Sequence, residues 1–286
     1  MFARVRHMTR LKLQRAVAEV IHESDRQSRV EQEDRHDQLL AEMTATTGEL
    51  ARVLGELSAA RSQIAVVRER LDDLEQRACR DITRALDVDA AADSAAFVRE
   101  HMPTATVCRH PHQTLRFALD LVDGDGMALE FGVAGGTTLG IVAAALRPRG
   151  RAVFGFDVFT GLPEAWRSGF PAGEFAQESV PTVPGAEIVA GLFTDTLPGF
   201  LAEHPGPVAF AHLDADLYSS TTTVLDAIGD RLRPGTVLVF DEFFNYPGWQ
   251  QHEYRAWTEF VDRTGLRFEY LAYTGDNEQV VVRVTG

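Results

Sequence analysis

Lysine is nearly missing from this chain: Lys12 is the only one in 286 residues. A phosphate-cradling loop of the Gly-Lys-Ser/Thr type needs a lysine beside its glycines, so nucleoside triphosphate transfer by that route is excluded. Basic charge as a whole is short, 28 Lys+Arg against 42 Asp+Glu for a net charge of -14. That balance argues against sequence-independent nucleic-acid binding, which depends on clustered cations to neutralise phosphates. The two cysteines, Cys79 and Cys108, make no disulfide framework and show no metal-ligand spacing, so a reducing cytoplasmic setting and a small-molecule ligand are expected. No uninterrupted apolar run approaches the ~20 residues that span a bilayer. The opening MFARVRHMTRLKLQRAVAEVI is basic, but charges interrupt its apolar stretches, unlike a signal peptide. It reads either as a solvated helix start or as a basic amphipathic helix in weak contact with an anionic membrane surface.

What is present begins with a heptad seam. Leu50, Leu57, Ile64 and Leu71 occupy position a, and Val53, Ala60, Val67 and Leu74 position d. Met43 and Leu39 extend the seam backwards, whereas His36, Gln32 and Arg29 would interrupt it. Charged residues cover most other faces. The narrow stripe is therefore expected to be buried by self-association, a parallel dimer first, rather than by folding back on its own domain. The expected division is a helical coiled coil over 1–80, a helical lid segment over 81–124 and a ligand-binding domain over 125–286.

In the last of these, strands and helices alternate. The spacing predicts strands at 127–132, 152–157, 186–190, 208–214, 236–240, 267–273 and 279–284, with helical stretches such as SSTTTVLDAIGDRL between the first six. Alternation of this kind predicts an α/β fold, a Rossmann-like parallel sheet with helices on both faces. The last two strands are separated only by TGDNE. That is too short for a parallel crossover, so the final strand must run antiparallel to its neighbour.

The first of these strands runs into LEFGVAGGTTLG, residues 129–140. An acid, Glu130, is followed by Gly132, Gly135, Gly136 and Thr137, the pattern of a strand ending in a tight turn that opens a helix. A dinucleotide site wants G-x-G-x-x-G, and here the second glycine is replaced by Ala134. S-adenosylmethionine fits the pattern better: it brings no phosphate, Glu130 would sit near its amino-acid moiety, and Asp157, about twenty residues on, stands where a ribose-binding acid belongs. The bland alternative is a turn that only packs a helix closely.

Further acids end the later strands, Asp214 and Asp216 in FAHLDADLYSS and Asp241 and Glu242 in VLVFDEFFNYPGW. Ligands of open α/β sheets bind beyond the carboxyl ends of the strands, so these four carboxylates gather where the ligand must sit. Such crowding is costly without a cation. Oxygen ligation suits Mg²⁺, with Mn²⁺ or Ca²⁺ as alternatives, better than zinc. His212, inside the strand just before Asp214, is either a core histidine or a second catalytic candidate. His252, beside Glu253, carries the same ambiguity.

The blocks LEFGVAGGTT, GFDVFTGLPEAW, GLFTDTLP, HLDADLYSST and GTVLVFDEFFNYPGW, in this order, resemble the macrocin O-methyltransferase family, over roughly residue 113 to the end of the chain. The resemblance implies a class I fold and S-adenosylmethionine- and Mg²⁺-dependent methylation of a sugar hydroxyl on a glycoside, secondary metabolite or surface glycan. It implies metal ligation by Asp214, Asp241 and Glu242 and a general base at Asp216. Glu242 stands where some members carry aspartate. A catechol-type acceptor would satisfy the same metal, and a non-catalytic S-adenosylmethionine-binding scaffold is the alternative of another class. The acceptor pocket is expected from 80–113, from the loop EAWRSGFPAGEFAQESVP and from NYPGWQQHEY, with Trp166, Tyr246 and Trp249 as sugar-stacking candidates.

Overall fold

The computed structural model describes the backbone of residues 2–286 and the side chains of residue 10 and of 12–286. Most side chains of the basic start, for which membrane-surface contact was an alternative, lie outside the described residues. The chain divides after Arg80 into two units, each described by itself.

The first unit is a single helix, α1 (Phe2–Arg80). No proline occurs before Pro103, and Ala, Leu, Glu, Arg and Gln dominate, all strong helix formers. Pairs such as Arg52–Glu56 (2.7 Å) and Arg77–Asp73 (3.1 Å) lace its surface one turn apart. From Lys12 to Arg80 every residue is exposed. The seam residues Leu50, Val53, Leu57, Ile64, Val67, Leu71 and Leu74 each expose between 46% and 59% of their surface, so the helix does not bury its own apolar stripe.

The second unit opens at Asp81, whose carboxylate accepts the Arg84 N–H and caps α2 (Ile82–His101). A mixed eight-stranded sheet follows, made of β1 (Thr106–Cys108), β2 (Met127–Phe131), β3 (Val153–Asp157), β4 (Glu187–Ala190), β5 (Val208–Leu213), β6 (Val237–Phe240), β7 (Phe268–Thr274) and β8 (Val280–Val284). The spatial order is β1-β7-β8-β6-β5-β2-β3-β4. Only β8 runs against the others, wedged between β6 and β7. The sheet has one strand more than the sequence predicts. β1 is three residues long and pairs with the edge of β7, too short to leave a periodic signal.

Strand residues alternate between two apolar layers. Leu129, Phe131, Leu238 and Phe240 face α5 (Phe193–Glu203), α6 (Tyr218–Ile228) and α7 (Glu253–Thr264). Ala128, Val237 and Val239 face α3 (Pro111–Asp120) and α4 (Thr137–Leu146). The segment 81–124 packs into this body: β1 extends the sheet, α3 covers it, and Phe97 of α2 packs on Phe243, Trp249, Tyr254 and Tyr270. No helix among the described residues is long and apolar enough to cross a membrane.

Candidate active site

The carboxyl ends of β2, β3, β5 and β6 meet around a cavity of ≈ 610 Å³, lined by Gly132, Asp157, Asp214, Asp216 and Glu242 among others. The strand ends are stitched together by backbone: Gly132 N–H donates to Phe156 O, Asp214 N–H to Phe131 O and Asp241 N–H to Leu213 O. Gly132 is glycine because of this crossing. Its φ is +96°, and a Cβ there would lie 1.7 Å from the Asp214 carbonyl oxygen. The close approach that the glycine permits is thus to β5 and not to a ligand.

The rest of the turn departs from expectation. Gly136 (φ +79°) packs on Val183 and Pro181, and Gly135 has open space around its Cα; the cavity wall is formed by Gly132 and Ala134, without Gly135, Gly136 or Thr137. Asp157 does line the cavity, but its carboxylate already works on the turn. Oδ2 accepts the N–H groups of Val133 (2.9 Å) and Ala134 (2.8 Å), and Oδ1 that of Phe159 (2.7 Å). Glu130 is fully buried and off the cavity wall. It accepts from Thr138 Oγ1 (3.1 Å) and from His212 Nδ1 (2.9 Å). His212, 1% exposed, likewise stays out of the cavity, with Nε2 3.5 Å from Asp241 Oδ1.

Ligand atoms of Asp214, Asp216 and Glu242 lie within 4.8 Å of one another, and so do those of His212, Asp214 and Asp241. The two groups overlap at Asp214. Burial pushes the Asp214 and Glu242 carboxyls well above their usual range, and the neighbouring Asp241 charge adds to it. Asp216 is pushed up to about 7 by burial and by Asp241, against the opposing field of Arg167. On Asp241, burial is outweighed by hydrogen bonding and attraction to His212, and its pKa is lowered. Burial opposes a charge on His212, but its contacts with Asp241 and Glu130 prevail and raise its pKa well above 6.5. A divalent cation fits this donor set. Asp214, Asp216 and Glu242 converge, and Asp241 adjoins Asp214 without lining the cavity. Glu242 Oε2 is buried without any hydrogen-bond partner, and His212 turns Nδ1 to Glu130 and Nε2 toward Asp241, so the donors facing the cavity are oxygens of the kind Mg²⁺ prefers.

Asp216 sits at φ +59°, a left-handed conformation rarely held by a non-glycine residue, and is buried. It does not cap α6, whose cap position is Leu217 and has no side-chain hydrogen bond.

The acceptor-side expectations divide. Trp166 lines the cavity, whereas Tyr246 and Trp249 are 3% exposed and absent from its wall, as are residues 80–113. His252 is half-buried, and burial and Arg167 lower its pKa. Two features had no place in the sequence reading. Arg167 lies over the rings of Trp166 (3.9 Å) and Tyr246 (4.3 Å) and pairs with Glu278 at 3.1 Å, tying the loop after β3 to the β7–β8 hairpin. Glu253 is completely buried, with Oε2 accepting the Glu242 N–H at 3.0 Å. Its signal was available: it falls three, four and seven residues before Ala256, Trp257 and Phe260, a charge on the apolar stripe of α7.

A Rossmann-like sheet with its last strand antiparallel, a glycine turn after the first central strand and acids at the ends of β3, β5 and β6 define a class, the S-adenosylmethionine-type methyltransferase domain. Residues 129–243 match the family model described as "Methyltransferase domain". The chain is 30% identical over 155 residues to 8-demethyl-8-(2,3-dimethoxy-alpha-L-rhamnosyl)-tetracenomycin-C 4'-O-methyltransferase of Streptomyces olivaceus, a match over 45% of this chain and 58% of that protein. It thus spans little more than half the length of this curated relative. Among solved structures it is similar to the calicheamicin methyltransferase CalS11, with a TM-score of 0.50 at 29% identity over 62% of this chain and 80% of that one. It is also similar to the O-methyltransferase NovP, with a TM-score of 0.50 at 20% identity over 61% and 79%; this second likeness speaks to the fold.

Proposed function

We propose that this chain is an S-adenosylmethionine- and divalent-cation-dependent O-methyltransferase acting on a sugar hydroxyl of a glycoside, in line with its resemblance to the macrocin family. The observation that carries the reading is that Asp214, Asp216 and Glu242 line the same cavity as Gly132 and Asp157. A cofactor turn and an acid cluster thereby face one volume. The name of the tetracenomycin rhamnosyl relative supports the sugar acceptor.

The chemistry asked of the residues follows from the reaction. A C–O bond forms as the sulfonium C–S bond breaks, S-adenosylhomocysteine leaves, and the acceptor hydroxyl must give up its proton. A bound Mg²⁺ would polarise that hydroxyl and lower its pKa; Asp214, with Asp241 and Glu242, would hold it. Asp216, held in a strained backbone conformation beside this group, takes the proton. Asp157 fixes the turn and offers its carboxylate edge to ribose, and Trp166 gives a flat apolar wall for a sugar face. The exposed seam of α1 joins copies of the chain as a coiled coil.

The test is product analysis after incubation with methyl-labelled S-adenosylmethionine and a panel of rhamnosyl and other deoxysugar glycosides, with catechols alongside. Label on a sugar oxygen supports the reading. Label on catechols alone would redirect it to a catechol-type enzyme. Tight cofactor binding without transfer to anything in the panel would favour the scaffold.

A further inference from the structure

We propose that Glu130 and His212 are positioning residues, a buried strut that sets the rotation of the Asp241 carboxylate for the cation; this rests on the cation reading given above. Neither side chain touches the cavity, so neither can meet substrate. Their placement follows from register. Glu130 lies opposite His212 on β2 and β5, and His212 lies opposite Val239, two residues before Asp241, on β5 and β6. Residues paired across strands point to one face, so Glu130, His212 and Asp241 form a row beneath α4.

The row is chained by contact: Thr138 Oγ1, in the first turn of α4, donates to Glu130 Oε1, His212 Nδ1 donates to Glu130 Oε2 at 2.9 Å, and His212 Nε2 faces Asp241 Oδ1 at 3.5 Å. Backbone fixes where Asp241 starts, through its N–H to Leu213 O at 2.8 Å. It leaves the side-chain torsions free. His212 faces Oδ1 and limits this freedom, together with Gln279 and Glu242, which also bond the carboxylate.

Stability alone does not account for the pair. On the same face Ala128, Val237 and Val239 are apolar, and a buried ion pair replaced by apolar residues of similar size is often as stable or more so. A histidine held by one carboxylate while it orients another is the arrangement by which outer residues tune a metal site.

The test uses the full-length chain and calorimetric titration with Mg²⁺ and, separately, with S-adenosylmethionine. The double variant Glu130→Leu/His212→Leu removes both members of the pair, so neither is left as a lone buried charge, while Asp241 loses the histidine that favours its ionised form. It is expected to keep its thermal midpoint and to bind S-adenosylmethionine within about twofold of wild type, while Mg²⁺ affinity falls ~10–100-fold, the usual worth of such outer-shell partners. His212→Gln, which retains a donor toward Asp241, should recover part of that loss, and it serves as the reading if the double variant does not fold. Unchanged Mg²⁺ affinity in both variants would overturn the strut and leave the cation reading standing. A parallel loss of cofactor affinity would make the pair a general brace and also overturn it. A wild-type protein that binds no Mg²⁺ would remove the cation reading and the strut together.

Discussion

Asp157 shows how one side chain carries two tasks. Sequence spacing places it where a ribose-binding acid belongs, and in the fold it also gathers three backbone N–H groups, from Val133, Ala134 and Phe159. Asp157→Ala should therefore cost about 1–3 kcal/mol of S-adenosylmethionine affinity through the unpaired donors and lower the thermal midpoint as well. Calorimetry and thermal unfolding on the same sample check both; unchanged affinity would remove the cofactor role. The acid cluster makes a pH prediction. The carboxyls of Asp214, Glu242 and Glu253 are held well above their usual range, and Asp216 at about 7. The folded chain thus keeps protons that the unfolded chain releases near pH 4. With raised folded pKa values, these groups contribute most to stability below the unfolded pKa, and that contribution is lost as pH rises through about 7. In chelator, the thermal midpoint should fall between about pH 5 and pH 8, and Mg²⁺ should restore it at the upper end. A midpoint that ignores both pH and Mg²⁺ would contradict the crowding argument.

At the scale of elements, the glycine turn separates what sequence can and cannot say. Its three glycines read alike as sequence, yet only Gly132 has backbone at the end of β5 against it. Gly132→Ala is expected to prevent folding or displace Asp214, whereas Gly135→Ala, in open space, should shift stability by less than about 1 kcal/mol. Thermal unfolding of the pair decides this, and equal effects would contradict the assignment. Seven strands were legible because apolar runs end at turn residues, and β8 was legible as antiparallel from a five-residue connection. β1 was not, because three edge residues take their conformation from β7. The acids that end β3, β5 and β6 could be picked out for the same reason the strands could. What could not be picked out depends on packing between distant segments: His212 turned inward to Glu130, Arg167 reaching Glu278, Tyr246 covered by Trp166 and Arg167, and Trp249 packed against Phe97 of α2. Periodicity records which face a residue takes, but not which carboxylate waits there.

For the whole molecule, α1 is ~120 Å of helix at 1.5 Å per residue, with an apolar seam from Leu39 to Leu74 that is exposed. The chain beginning at Asp81 retains every strand and the whole cavity, so it should fold, bind S-adenosylmethionine with the affinity of the full chain and show a lower oligomeric order. Light scattering on both forms checks this. A monomeric full-length chain would remove the self-association. The central claim concerns the other unit, where a cation and a base share the removal of one proton. The most direct measurement is the rate of methyl transfer to a glycoside acceptor by chelator-stripped protein as Mg²⁺ is added back, for wild type and for Asp216→Asn. Wild type should be inactive when stripped and recover with Mg²⁺, and Asp216→Asn should bind cofactor and metal normally yet turn over ~10²–10⁴-fold more slowly. Full activity in chelator, or an Asp216→Asn variant at nearly the wild-type rate, would contradict the account.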